Sequence, residues 1–343
     1  MTSRAVVAVD VGGTKIRAGA VIDGTIIDGT MGHIREVPTP ASEGRSAILD
    51  AIAEVAREVM RSTDASIGAD TPLLWKLGIG AAGVIDSEAG TVVSATDSLT
   101  GWAGTRLTAE LTARLGLETR AVNDVHAHAL GESFAGAARG SRSSLLVAAG
   151  TGIGGAFISE GRLLTGRNFA AGHIGHLPVA AAQGLPCPCD GAGHVEAIAS
   201  GPAVLAAYRR AGGRADVSST RELAGVARSG DVIAQEAFAR AGEALGSILG
   251  GLANVLSPEV VVIGGGLAGT GELWWSPLCE AFDRELIPAI RGLELREAQL
   301  GSDAALIGAA SLWSAATSAA TSAPKSPMPG NSAISKTTSE ETE

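Results

Sequence analysis

Residues 5–19 read AVVAVDVGGTKIRAG, and this stretch decides the fold. The apolar run 5–10 is typical of a buried β-strand, and the run 16–22 (IRAGAVI) is typical of a second one. Between them, DVGGTK offers a carboxylate, two glycines and a hydroxyl in a tight turn. Glycine lets the backbone approach an anion closely, and backbone N–H groups can cradle a phosphate. The stretch therefore predicts two strands joined by a phosphate-binding turn, and it lacks the GxxxxGK(S/T) spacing of a Walker A loop.

The same pattern returns in the second half of the chain, where residues 144–158 read SLLVAAGTGIGGAFI. The two glycine turns lie about 140 residues apart, roughly the length of one domain. We therefore predict an α/β fold built from an internal duplication, with a cleft between the two halves. A third glycine cluster, Gly264–Gly266, follows the buried run 259–263. Ligands of open α/β sheets bind beyond the carboxyl ends of the strands, so this cluster is expected at the same cleft.

The rest of the chain has a coarser pattern. Further strands are predicted over 73–83 and 119–124, and a hairpin turn is predicted at Asp23-Gly24. Helices are predicted over the following ranges: 44–62, 104–115, 125–138, 195–211, 219–228, 231–256 and 302–313. From about residue 316 the chain is rich in Ala, Ser, Thr and Pro and has few large apolar groups, which predicts a disordered tail.

Composition narrows the class of protein. The 343 residues include 26 basic and 36 acidic ones, and no basic stripe is present, so we expect no nucleic-acid partner. No apolar run is long enough to cross a bilayer, and MTSRAVVAVDVGG enters a strand without a leader pattern, so we expect a cytoplasmic protein without membrane contact. The three cysteines, Cys187, Cys189 and Cys279, give no disulfide framework, which fits a reducing compartment. Cys279 is predicted to be a core residue.

Asn123 and Asp124 stand where a predicted strand ends and a helix begins. Both residue types are favoured as helix caps, which is one interpretation. The other is catalytic, because transfer of a phosphoryl group to a hydroxyl needs a carboxylate near the attacking oxygen. His126 and His128 are two residues apart and do not share a helix face, so we predict structural roles for both. His33 has no partner in the sequence and stays unassigned.

A second cluster lies between residues 172 and 196, in GHIGH and CPCDGAGHVE. His176, Cys187, Cys189 and His194 would supply four nitrogen and sulfur ligands, the closed set of a structural zinc site. Two alternatives stay open at this point. His173 could replace His194 as the fourth ligand, or the loop could hold no metal.

At this point a family resemblance is clear. DVGGTKIRAG, VND, AAGTGIGGAFI, GHIGH…CPC…HVEAIASG and PEVVVIGGG occur in the order found in the ROK family, from about residue 5 to residue 315. The resemblance implies two RNase H-like lobes of the actin-like ATPase fold, closing on ATP and a sugar, with the last helix returning to the first lobe. We expect a small lobe of 1–122 plus 303–315, a large lobe of 123–302 with the zinc loop, and the tail 316–343.

The resemblance also implies roles for particular residues. Asp124 would be the general base toward the sugar 6-hydroxyl, and Asp10 would lie in the Mg²⁺–phosphate region. The sugar would be bound by Gly83, Asn123, Asp124, His173, His176 and Glu196. The phosphates of ATP would meet Asp10, Gly12, Gly13, Thr14, Lys15, Thr151, Gly152, Gly265 and Gly266. The zinc would support His176 and Glu196 rather than catalyse, and members of the family often form homodimers.

The chain departs from the family pattern GExGH…CxCGxxGCxE in three places. His194 stands where the third Cys is expected, Asp190 replaces a Gly, and His173 stands where most glucokinases of the family carry Glu. In GHxGH the chain resembles bacterial N-acetylmannosamine kinases, and an imidazole N–H could meet an acetyl carbonyl. Residues 94–102 (SATDSLTGW), expected to touch the sugar, lack the Pro-Asn-Leu of many glucokinases. These features predict an ATP-dependent N-acetylmannosamine 6-kinase.

Other functions stay open. One is a glucose, mannose or N-acetylglucosamine kinase that uses ATP or polyphosphate. Another is a sugar-responsive regulator, although the nine residues before Asp10 are expected to leave no room for a helix-turn-helix. A sugar-binding protein without catalysis is the last, and Asp124 and both glycine turns argue against it.

Overall fold

The computed structural model describes residues 3–22, 31–67 and 72–314, and its centre is a pair of mixed five-stranded sheets. The first sheet has the strand order β3-β2-β1-β4-β7 and the second has the order β10-β9-β8-β11-β12. A separate hairpin is formed by β5 and β6. The strands are β1 Ser3–Val11, β2 Lys15–Ile22, β3 Gly32–Pro38, β4 Leu73–Ala81, β5 Val84–Asp86, β6 Thr91–Ser94, β7 Thr119–Asn123, β8 Ser144–Ala149, β9 Ile153–Ser159, β10 Arg162–Leu163, β11 Val260–Gly264 and β12 Glu294–Glu297.

The two sheets repeat one arrangement, as the duplicated glycine turns predicted. In each, the central strand pairs antiparallel with the strand after its glycine turn and parallel with a strand on its other side. The parallel strands β1, β4 and β7 end at Val11, Ala81 and Asn123, on one edge of the first sheet. The parallel strands β8 and β11 end beside the other two glycine clusters. Candidate site residues are therefore collected at strand ends.

Helices cover the sheets and carry most of the core. They are α1 Arg45–Ile67, α2 Leu107–Leu115, α3 Asp124–Ala135, α4 Glu196–Ala199, α5 Gly201–Arg210, α6 Thr220–Arg228, α7 Val232–Leu256, α8 Glu272–Glu285 and α9 Ala304–Ser311. The helix predicted over 195–211 is wrong in its continuity, because it breaks at Ser200. Ser200 is extended, with φ −76° and ψ 158°, and its hydroxyl accepts a hydrogen bond from the Ala203 N–H. Gly201 and Pro202 follow, so a new helix starts there.

Several elements lie outside the sequence predictions. Most residues of β3 and of the short strand β12 are half-exposed or exposed. Neither strand therefore has the apolar run that would predict it from sequence. Helix α8 contains Pro277, which disturbs a helical pattern, yet it packs along α7. The hairpin turn predicted at Asp23-Gly24 and the tail 316–343 lie outside the described residues.

Helix α9 joins the two halves of the chain. It packs on β1 and β4 of the first sheet and also along α3, and it comes so close that a Cβ on Gly308 or Gly131 would overlap a backbone carbonyl of the other helix. Just before α9, Asp303 Oδ1 lies 2.7 Å from the guanidinium of Arg17, which is 8% exposed and also bonds the Ser302 carbonyl. The last described helix is therefore part of the first sheet's packing.

Within the described residues no helix is long and apolar enough to cross a membrane.

Candidate active site

A cavity of about 890 Å³ opens where residues from both halves of the chain meet. Predicted site residues that line it are Asp124, Thr151, Gly152, His173, His176, Cys189, Glu196, Gly265 and Gly266. Thr96, from the segment 94–102, also lines it. Predicted site residues that are not part of its lining are Asp10, Gly12, Gly13, Thr14, Lys15, Gly83, Asn123, Cys187 and His194. The described structure thus brings together the second glycine turn, the carboxylate after β7 and the histidine cluster.

Asn123 and Asp124 form one hydrogen-bonded unit at the start of α3. Asn123 Oδ1 accepts from the backbone N–H groups of Val125 and His126, at 2.9 and 3.1 Å, which is the predicted helix cap. Asn123 Nδ2 donates to the Gly83 carbonyl at 2.9 Å and to Asp124 Oδ1 at 2.7 Å. Asp124 Oδ1 also accepts from the Val125 N–H. Asp124 Oδ2 has no hydrogen-bond partner among the described residues, so it is available to take a proton from a ligand.

Asp10 lies near the end of β1 and is electrostatically linked to Asp124. Burial is the main reason that the pKa of the Asp10 carboxyl rises to about 6. The charge of His128 opposes this rise, and the charge of Asp124 adds to it. The carboxyls of Asp10 and Asp124 and the His128 imidazole therefore lie close enough to influence one another.

The first glycine turn differs from its predicted form in one respect. We expected the N–H groups of both Gly12 and Gly13 to be exposed, but the Gly12 N–H donates to the Lys15 carbonyl at 3.0 Å inside the turn. The Gly13 N–H has no partner among the described residues. The Lys15 ammonium lies 3.0 Å from the Glu36 carboxylate on β3, while the Thr14 side chain is exposed. A role of Lys15 or Thr14 toward phosphate stays a prediction.

The second and third glycine clusters lie against each other and against Glu196. Glu196 Oε2 accepts a hydrogen bond from the Ile153 N–H at 2.7 Å, and a Cβ on Gly152 would lie only 2.8 Å from the same oxygen. Gly265 has φ +92°, and a Cβ there would overlap the Ala149 carbonyl oxygen. At Gly265 glycine is therefore required both by the backbone that it meets and by its left-handed conformation, whereas a side chain at Gly152 would only displace the end of the Glu196 side chain.

The four predicted metal ligands are collected at one point. The ligand atoms of His176, Cys187, Cys189 and His194 all lie within 4.8 Å of one another. Cys187 Sγ is 3.6 Å from His176 Nδ1, and Cys189 Sγ is 3.2 Å from His194 Nδ1. For tetrahedral zinc, bond lengths of about 2.3 Å to sulfur and 2.0–2.1 Å to nitrogen place neighbouring N and S ligands about 3.6 Å apart. The donor set and its spacing fit a zinc ion, and the group of four close donor atoms includes His194 and not His173.

A tight turn presents the two cysteines to the same side. The Cys187 N–H donates to the Gly191 carbonyl at 2.9 Å, and the Asp190 N–H donates back to the Cys187 carbonyl at 3.1 Å. Asp190 has φ +64°, a left-handed conformation that glycine adopts more easily. This conformation suits the Gly of the family pattern, and Asp adopts it at a small energetic cost. Burial raises the pKa of the Cys187 thiol. A bound cation would act in the opposite direction, because metals bind the thiolate.

His173 lies beside this cluster and faces the cavity. Its ring stacks on that of His176 with 6.2 Å between centroids, and its Nδ1 lies 2.9 Å from the Ala170 carbonyl oxygen. A carbonyl only accepts, so Nδ1 carries the proton. With the proton on Nδ1, the Nε2 atom of a neutral ring can only accept a hydrogen bond. The expected donation to an acetyl carbonyl would need the protonated ring, whereas the neutral ring accepts from an N–H or O–H.

The structure separates the two histidines of α3, which we had predicted to be structural alike. His126 is buried, its Nε2 bonds the Ala171 carbonyl at 3.0 Å, and burial lowers the pKa of its ring. His128 instead lines the cavity one helical turn after Asp124. The available signal was the spacing of His128 from Asp124, since residues four apart share a helix face.

Comparisons with known proteins agree with this geometry. A sequence model of the ROK family matches residues 6–316. A glucokinase of Thermotoga maritima is 32% identical over 319 residues, covering 89% of this chain and 96% of that protein. An N-acetylmannosamine kinase of Citrobacter koseri is 32% identical over 305 residues, covering 89% and 97%. A ROK family glucokinase from Streptomyces griseus, solved in complex with glucose and AMPPNP, superposes with a TM-score of 0.74 at 32% identity, covering 90% of this chain and 98% of that one.

Proposed function

This chain belongs to the ROK family, and from that premise we propose that it is an ATP-dependent kinase that phosphorylates the 6-hydroxyl of N-acetylmannosamine. The family match and the relatives above support a ROK sugar kinase with the actin-like ATPase fold. The fold prediction is thereby confirmed. The identity of the sugar, the residue roles and the metal content are the parts that we propose.

The kinase mechanism is supported above all by the carboxylate of Asp124, of which only one oxygen is hydrogen-bonded among the described residues. Its Oδ1 is held by Asn123 and by the helix backbone, so Oδ2 points away from these bonds with its acceptor capacity unused. In the proposed reaction, Oδ2 takes the proton of the sugar 6-hydroxyl as that oxygen attacks the terminal phosphorus of ATP. The bond from this phosphorus to its bridging oxygen breaks, and ADP leaves. Asn123 was expected to bind the sugar, but both ends of its amide are bonded within the protein, so we propose that it positions the base instead.

The phosphates of ATP would lie against the glycine turns. The Thr151 and Gly152 N–H groups, and the close approach permitted at Gly265 and Gly266, support this placement. Mg²⁺, when bound, would offset phosphate charge near Asp10. The sugar would lie toward His173, His176 and Glu196, and a zinc ion on the four-residue cluster would hold the loop that carries them.

We propose that the lobes follow the predicted boundaries, 1–122 plus 303–315 and 123–302. The arrangement of one five-stranded sheet on each side of residue 123 supports this division. Helix α3 would form the wall shared by both lobes, because it packs on β4 as well as on β8 and β9. The homodimer implied by the family stays a prediction.

His173 supports N-acetylmannosamine as the sugar, since it faces the cavity at the position where glucokinases of the family carry Glu. Its neutral Nε2 can accept the acetamide N–H. The second candidate is glucose, because the same Nε2 can accept a sugar hydroxyl much as a carboxylate does. The glucokinase of Thermotoga maritima is also as similar to this chain as the N-acetylmannosamine kinase of Citrobacter koseri.

A coupled assay of ADP release tests the proposal. The protein is given Mg-ATP and, separately, N-acetylmannosamine, N-acetylglucosamine, glucose and mannose, with polyphosphate as a second donor. We expect the highest kcat/KM with N-acetylmannosamine and ATP, and about one zinc per chain by metal analysis of the same sample. A higher kcat/KM with glucose would replace the sugar in the proposal. No turnover with any sugar and either donor would reject the kinase function.

A further inference from the structure

The side chain of His128 has no role in the mechanism above, yet it lines the cavity. Helix α3 presents Asp124, His128 and Glu132 to the cavity at intervals of four residues, so they form one stripe on the helix. Asp124 stands at the first position of this stripe. Neighbours of this kind have Cβ atoms about 5–6 Å apart, so His128 lies within one side-chain length of the site where the phosphoryl group would transfer.

The orientation of the His128 ring is fixed by its own helix. Its Nδ1 lies 2.9 Å from the Asp124 carbonyl oxygen, so Nδ1 carries a proton and donates it there. The other ring nitrogen, Nε2, has no hydrogen-bond partner among the described residues. One ring nitrogen is thus fixed by a hydrogen bond and the other is available to a ligand, on the face of the helix that lines the cavity.

The charges of the side chains that line the cavity suggest a role for Nε2 of His128. Among the described residues that line the cavity there is no Lys or Arg, whereas Asp124, Glu196 and Glu297 contribute carboxylates. Glu132 also lines the cavity, but it is buried and its carboxylate accepts hydrogen bonds from backbone N–H groups. The other two basic residues that act on Asp10, Lys15 and Arg17, both have carboxylate partners, because Lys15 pairs with Glu36 and Arg17 pairs with Asp303. A triphosphate in such a cavity needs positive charge around its terminal group beyond a magnesium ion.

We propose that His128 is a phosphate-binding residue, whose protonated imidazole donates Nε2–H to the terminal phosphoryl group of the nucleotide. This inference rests on the proposed kinase function. An arriving phosphate favours the imidazolium form, because opposite charges at short range stabilise one another. With Nδ1 bonded to the Asp124 carbonyl, the same ring links the base and the phosphoryl group that the base helps to transfer.

Two amide variants test the proposal, because each mimics one ring nitrogen. In His128→Asn the amide stands at the Nδ1 position, which keeps the bond to the Asp124 carbonyl and removes the donor toward the cavity. In His128→Gln the amide reaches the Nε2 position, which keeps a neutral donor toward the cavity and removes the anchor. We expect His128→Asn to lower kcat/KM for ATP about 10- to 100-fold and His128→Gln to lower it by less than about 5-fold.

Nucleotide titrations without sugar separate this role from a structural one. We expect His128→Asn to weaken AMPPNP about 10-fold and to leave ADP within about 2-fold, because only AMPPNP carries the terminal phosphate. An equal loss for both nucleotides, or a larger loss in His128→Gln than in His128→Asn, would mean that His128 only anchors the start of α3. Binding by both variants at the level of the natural protein would also overturn the proposal. The titrations stay informative if the natural protein phosphorylates no sugar, so failure of the kinase function and failure of this inference are distinguishable.

Discussion

The amide nitrogen of Asn123 lies 2.7 Å from Asp124 Oδ1, and it is this bond that leaves the second oxygen of Asp124 free. Asp124→Asn keeps an oxygen at the Oδ1 position and removes only the basic one. We expect kcat to fall about 10²- to 10⁴-fold, with little change in sugar affinity. Steady-state ADP release and calorimetric titration of the sugar measure the two effects. A variant that kept more than a tenth of the activity would exclude Asp124 as the base.

Loss of the metal should weaken binding of the sugar. Cys187→Ser removes one ligand of the four-residue cluster, and we expect zinc content to fall from about one per chain to near zero. KM for the sugar should rise about 10-fold, because the loop that carries His176 would lose its support. Metal analysis and sugar kinetics are run together. Cys279→Ser, on α8 and outside the cluster, is the matched control and should retain both zinc and KM.

Gly265 and Gly266 form a matched pair for stability. In Gly265→Ala the new methyl group meets the Ala149 carbonyl at a residue with φ +92°, whereas around Gly266 no atom lies within 4 Å of the added carbon. We expect Gly265→Ala to lower the free energy of unfolding by about 1–3 kcal/mol and Gly266→Ala to change it by less than about 0.5 kcal/mol. Urea denaturation measures both. Similar values for the two variants would contradict the close approach seen at Ala149.

The raised pKa of Asp10 makes stability depend on pH. The carboxyl has an ordinary pKa of 3.8 and a pKa of about 6 in the folded protein, mainly through burial. Its contribution to stability is therefore fully present below pH 3.8 and is lost as pH rises through about 6. Asp10→Asn removes this loss, so we expect the variant to gain stability over the natural protein between pH 4 and pH 6 and to hold that gain above it.

Denaturant unfolding at pH 4, 5, 6 and 7.5, without nucleotide or magnesium, measures this dependence. Asp97→Asn, at an exposed acid, is the control and should show no such trend. If the Asp10→Asn variant became relatively less stable as pH rose, burial would not be what sets the pKa of Asp10.

His173→Glu tests the determinant of the sugar. A carboxylate at this place restores the residue that most glucokinases of the family carry. Its two oxygens can accept from two sugar hydroxyls, whereas the one free ring nitrogen of His173 accepts from a single group. We expect the ratio of kcat/KM for N-acetylmannosamine to that for glucose to fall at least about 10-fold. The assay uses both sugars at one ATP concentration. An unchanged ratio would show that the discrimination lies elsewhere, with Thr96 of the segment 94–102 as the next residue to vary.

Local pattern was enough to predict the two repeated units and the residues at their turns. Short motifs indicated the strands around Asp10 and around Gly150, and the structure has them there. The base candidate Asp124 and the four candidate metal ligands are likewise found where the motifs indicated. These features depend on strand runs, glycines and spacing, which the chain carries within a few residues.

What local pattern could not provide depends on neighbours far along the chain. The pairing of Lys15 with Glu36 requires that β3 lie beside β2, and β3 has no apolar run that would reveal it. The Gly12 N–H is used by a carbonyl three residues on, which turn geometry alone decides. His128 lies four residues after Asp124 and two after His126, so helical spacing relates it to Asp124 and not to the neighbouring histidine.

The position of α9 has a consequence for synthesis of the protein. Arg17 leaves the ribosome early, yet the acid and the carbonyl that hold its buried guanidinium belong to Ser302 and Asp303. The face of β1 and β4 that α9 covers must likewise wait until residues 304–311 have been made. The strands of the second sheet lie between residues 144 and 297, so they can pair before α9 is made, although Ala305 and Leu312 complete the core on that sheet as well. During translation, therefore, the sheet that is made first would stay uncovered until the strands of the other sheet have been made.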